Sequence, residues 1–81
     1  MKIKVKFFSS HREAVGRSEI NMKVDEGMRL KELMDMLMGS YPKLKKLSEY
    51  TVLSLNHRYA SGEEILKEGD EVAIFPPVEG G

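Results

Sequence analysis

The residues best placed to do chemistry are the last six, Pro76-Pro77-Val78-Glu79-Gly80-Gly81. What they offer is a free terminal carboxylate on a thin stalk. Gly80 and Gly81 have no side chains, so this end can enter a narrow channel and let a nucleotide approach its backbone closely. Such a carboxylate can be activated as an acyl-adenylate and then attacked by a sulfur or amine nucleophile. Pro76 and Pro77 remove two N–H donors and hold φ near about −65°. The segment therefore cannot continue a central ladder and leaves any sheet in an extended form. Six residues at about 3.3 Å each reach roughly 20 Å from the body. A terminal Gly-Gly arises by composition alone in about one chain in 200, so the pair is suggestive and not decisive without its context.

The other chemical residue types form no competing constellation. Cysteine is absent, which excludes a disulfide framework, a Cys-ligated zinc site and a thiol nucleophile. His11 and His57 share no metal-ligand spacing and read as surface residues. Asp25, Glu26, Glu63 and Glu64 fall at turns with no pocket implied, so they are weak candidates for an acid/base pair. Lys43, Lys45 and Lys46 read as a solvated helix face. Met34 and Met36 read as core filling.

The elements that must hold the tail come from periodicity. Ile3, Val5 and Phe7 alternate with Lys2, Lys4, Lys6 and Phe8, so residues 2–8 read as a half-buried strand. Residues 9–16 break that pattern, and Arg12-Glu13-Ala14-Val15 fits a helical turn or a loop. Ile20, Met22 and Val24 mark a second strand. Leu30, Leu33, Met34 and Leu37 give the i, i+3, i+4, i+7 stripe of the main helix, widened by Met36 and Met38, with Gly39 as its stop. Its N-cap is weak or lies at Asp25. Residues 42–47 form a short second helix with Leu44 and Leu47 inward. Residues 51–55 form a strand, Asn56-His57-Arg58 a turn into a short strand at Tyr59-Ala60, and Ile65 or Leu66 plugs the core. Residues 71–75 are the last strand.

This order predicts an α+β fold: a β-grasp (ubiquitin-like) roll, a mixed four- to five-stranded sheet with one main helix on one face. The first and last strands are central, parallel neighbours. Residues 1–75 form the domain and residues 76–81 the extended tail. Phe8 and Phe75 fall outside the inward parity sets, so they share the face opposite the helix, either as a partner patch or as rings covered locally by a loop.

Size and charge narrow the function. With 81 residues there is one domain, with no room for a deep active site beside a core. Thirteen basic residues balance thirteen acidic ones, which argues against nucleic acid or an anionic membrane as partner. The charged first strand is not a signal peptide, and no apolar run approaches the ~20 residues of a membrane span. A cytoplasmic location is expected.

The run from Gly69 to Gly81, GDEVAIFPPVEGG, resembles the C-terminal signature of the MoaD/ThiS sulfur-carrier family. Pro76-Pro77-Val78 before Gly-Gly resembles the MoaD branch, the small subunit of molybdopterin synthase, as do Lys4-Val5-Lys6-Phe7-Phe8, Arg12-Glu13 and Gly16. The likeness spans essentially the whole chain.

The resemblance implies a carrier without catalytic side chains or a resident cofactor. A ubiquitin-activating-type enzyme adenylates Gly81 with ATP, and a sulfur donor then replaces AMP to leave a thiocarboxylate. The tail, with Gly80 and Gly81 at its tip, enters the large subunit of molybdopterin synthase and gives up sulfur in pterin synthesis. Phe8, Arg12, Phe75, Pro76, Pro77 and Val78 are the implied partner contacts. No metal site is implied. Glu79 departs from the branch, where this position is commonly small or uncharged; its charge must be solvated or paired in the partner's channel. The alternatives are a modifier joined to lysines through Gly81, a ThiS-like carrier for thiamine or tRNA thiolation, and a plain interaction domain whose tail is dispensable.

Overall fold

The computed structural model describes residues 1–77. The sequence expectations for Val78, Glu79, Gly80 and Gly81 lie outside the described residues.

The chain runs β1 (Lys2–Phe7), α1 (Ser9–Val15), β2 (Glu19–Lys23), α2 (Leu30–Ser40), α3 (Pro42–Lys45), a 3-10 turn (Ser48–Tyr50), β3 (Val52–Leu55), β4 (Arg58–Ala60) and β5 (Glu71–Phe75). The five strands form one sheet in the order β2-β1-β5-β3-β4. β5 lies between β1, to which it is parallel, and β3, to which it is antiparallel. This is the β-grasp arrangement expected from the alternation.

The alternation decides which face is buried. Ile3, Val5, Phe7, Val72 and Ile74 point to the helices and are essentially inaccessible. α2 lays Leu30, Leu33, Met34 and Leu37 on them, and Leu44 of α3 and Leu66 close the ends. Removing one of these side chains, as in Leu33→Ala, costs about 2–5 kcal/mol. Leu66 is the plug, and Ile65 stays half exposed.

Several local expectations are corrected. The segment after β1 is a helix, ended by Gly16 in the left-handed region at φ 84° with its N–H on the Arg12 carbonyl. Gly39 does not stop α2. The helix continues to Ser40, and Tyr41 is its C-cap, because Pro42 forces the chain into a new helix. Neither is Asp25 the N-cap. Arg29 holds that position, and Glu32 reaches back to accept its backbone N–H at 2.9 Å. Met36 is not core. It is 43% exposed, since the apolar stripe turns past it between Leu33 and Leu37.

Candidate functional site

The tail leaves from the middle of the sheet. β5 is its central strand, so the root of the tail is held on both sides. On one side the Phe8 N–H donates to the Ile74 carbonyl at 3.1 Å. On the other, Val52 pairs with Phe75. Beyond Phe75 the prolines end the ladder, with Pro76 half-buried and Pro77 exposed.

An aromatic cluster surrounds this root on the open face. Phe8 and Phe75 sit edge to face, their ring centroids 6.5 Å apart and their planes at 84°. The Tyr59 ring lies 6.4 Å from Phe75, tilted by 46°. Ser54, His57, Tyr59 and Phe75 line a shallow hollow of about 300 Å³. Tyr59 is 84% exposed. It was not anticipated, although its pairing opposite Ser54 in the β3–β4 hairpin puts it on the outer face. Parity alone could not have found it, because a three-residue strand shows too little alternation.

Farther down the same face the side chains become charged. Lys6 lies 3.6 Å from Glu71, His57 3.5 Å from the same carboxylate, and Lys4 3.8 Å from Glu19. These are exposed or half-exposed pairs, worth little to stability. The face thus grades from aromatic at the tail root to ionic at the opposite end.

Of the anticipated contact residues, Phe8, Phe75, Pro76 and Pro77 come together. Arg12 lies exposed on α1, about one turn beyond Phe8. Val78, Gly80 and Gly81 are outside the described residues.

The two histidines behave differently. His57 is exposed in the hairpin turn. His11 is fully buried, against the expectation of a surface residue. The reason is that residues 9–15 form a full helix, α1, rather than one turn or a loop. On α1, His11, Ala14 and Val15 fall at i, i+3 and i+4 and share the inward face. A helical reading of residues 9–15 would have found it.

Glu63 and Glu64 are loop ties. Lys31 hydrogen-bonds Glu63 at 2.8 Å and holds its carboxyl below the usual range, helped by the same charge at short distance. Glu64 accepts the backbone N–H groups of Ser61 and Gly62 at 2.9 and 2.8 Å. Those backbone bonds, that of Ser61 foremost, lower its pKa as well. Among the described residues no group of His, Asp and Glu is arranged to hold a metal, and no helix is long and apolar enough to cross a membrane.

Residues 5–81 match the ThiS family. The chain belongs to the ThiS family. Its relatives include the molybdopterin synthase sulfur carrier subunit of Chlamydomonas reinhardtii, 36% identical over 83 residues, with 100% of each chain covered. Among solved structures it resembles small archaeal modifier protein 1 of Haloferax volcanii at TM-score 0.84 and 27% identity, covering 95% of this chain and 98% of that one. It also resembles a chain of the complex between subunits 1 and 2 of molybdopterin-converting factor from Helicobacter pylori, at TM-score 0.72, 27% identity and 100% of both chains. A ThiS-family β-grasp with an aromatic collar round its tail root is thus the frame for function.

Proposed function

We propose that this ThiS-family chain is a sulfur carrier, the small subunit of a molybdopterin synthase. Its full-length likeness to a molybdopterin synthase sulfur carrier subunit carries the reading. The Gly81 carboxylate attacks the α-phosphate of ATP on an activating enzyme, and pyrophosphate leaves. A persulfide sulfur then attacks the acyl-adenylate, AMP leaves, and a thiol cleaves the resulting S–S bond to free the thiocarboxylate. The thiocarboxylate delivers sulfur to a pterin held by the large subunit. Both partners supply the catalytic side chains; this chain supplies the acyl group and its orientation. The likeness to a Helicobacter pylori subunit that forms a complex with a second subunit supports a two-subunit assembly.

The domain, residues 1–75, acts as the handle and residues 76–81 as the arm. Phe8, Phe75, Pro76, Pro77 and Val78 form the apolar contact to both partners, with Tyr59 added to the patch and Arg12 at its border. An exposed aromatic cluster beside the reacting end is the kind of surface that anchors an interface.

The test is to incubate the protein with ATP, an activating enzyme and a sulfur donor, and to record intact mass. The expected gain equals exchange of one oxygen for sulfur, and deletion of Gly81 abolishes it with the fold retained. Absence of any adenylate would overturn the reading. The likeness to an archaeal modifier protein favours a second reading, conjugation through Gly81, which the same samples reveal as adducts on lysines of other proteins.

A further inference from the structure

The buried His11 has no part in the chemistry above, yet it sits at the root of the tail. Thr51 donates its single hydroxyl proton to the Leu47 carbonyl at 2.7 Å. The same oxygen lies 2.8 Å from His11 Nε2, so it accepts and Nε2 carries the proton. Ser10 Oγ, 3.3 Å from Nδ1, then donates to the second ring nitrogen.

This bond joins the two flanks of β5. Thr51 immediately precedes Val52, which pairs with Phe75. His11 donates its backbone N–H to the Phe8 carbonyl at 3.0 Å, and Phe8 in turn donates to Ile74. A closed circuit results: Phe8 to β5, β5 to Val52, Thr51 to His11, and His11 back to Phe8. The exit of the tail lies inside that circuit. A hydrogen bond to a ring as buried as His11 favours one arrangement, because opening it takes a partner from a polar group shut away from water.

We propose that His11 is a positioning residue for the tail: through Thr51 it holds the two strands beside β5 at the spacing that fixes where the chain leaves the sheet after Phe75, and so how the tail is presented to the activating enzyme. The inference rests on the carrier reading and adds a residue to it. Small errors in aim are costly for a reacting group on a stalk, since misplacement by about 1 Å can slow a reaction as much as 100-fold.

The test is steady-state adenylation of the full chain, with kcat and KM for the carrier measured separately. His11→Leu removes the donor and keeps an apolar filler, and Thr51→Val removes only the hydroxyl. Each is expected to lower kcat by roughly tenfold with KM nearly unchanged. The double variant should lose no more than either single one. His11→Gln, whose amide can donate to Thr51, should recover most of the rate. An unchanged kcat in folded His11→Leu, or losses that multiply in the double variant, would overturn the proposal. If His11→Leu does not fold by circular dichroism, Thr51→Val decides alone, and should that fail too, the milder Thr51→Ser must keep the wild-type rate while His11→Gln stays within a few-fold of it; a large loss in either overturns the circuit. Failure of the unmodified chain to be adenylated would instead strike the carrier reading.

Discussion

The ring of Phe8, the residue just after β1, meets the ring of Phe75, the last residue of the parallel β5, edge to face. Neither ring is needed by the core, which lies on the other side of the sheet. Phe75→Ala should therefore weaken binding to the activating enzyme or the large subunit by about tenfold or more, the scale of a central aromatic anchor. Melting should change little. Titration calorimetry beside a thermal scan separates the two effects. A large fall in melting temperature with unchanged affinity would assign the pair to stability instead.

Gly39→Ala should stabilise the protein. Gly39 lies within α2, with nothing near the position a Cβ would take. Alanine is the better helix former by about 1 kcal/mol, which in a domain of this size raises Tm by about 4–8 °C. A thermal melt of the variant checks it.

The β3–β4 hairpin predicts opposite outcomes at adjacent residues. Asn56 and His57 both have positive φ, 51° and 70°, as a two-residue hairpin loop of this twist requires. Asn56 also donates to Asp70 and accepts from the Glu71 N–H, both at 2.9 Å. Asn56→Ala loses both bonds and tolerates the backbone poorly, for a cost of about 2–3 kcal/mol. His57 has only an exposed contact to Glu71. His57→Gly should therefore gain up to about 1 kcal/mol. Urea unfolding of both variants reads the sign directly.

Glu64 gives a pH dependence. Its folded-state pKa is lowered by the N–H groups of Ser61 and Gly62, so its contribution is present above the unfolded carboxylate range. It is lost as pH falls through the lowered folded value. Glu64→Gln should be less stable than the parent at neutral pH, and the difference should shrink on acidification. Melting curves from neutral to acidic pH would show convergence; parallel curves would remove Glu64 from the account.

Much of this fold was legible because strands with one buried face must alternate. Ile3, Val5 and Phe7, then Val72 and Ile74, identified the central pair, and the stripe from Leu30 to Leu37 identified the main helix. Features set by a few local residues were harder to read. α1 has seven residues and a single glycine cap, too little periodicity to separate it from a loop, and the burial of His11 went unseen with it. Gly39 looked like a stop, but the decisive signal was Pro42, which fixes where the next helix begins. Tyr59 joined the aromatic patch through cross-strand register, which only pairing reveals.

The central place of β5 has a consequence for how the protein is made. Phe7 in the first strand pairs beside Ile74 in the last, so the middle of the sheet stays vacant until synthesis has passed residue 75. Contacts of such long sequence separation form late and slowly. A nascent chain that lacks β5 cannot assemble the core, nor the Phe8–Phe75 ring pair on the opposite face.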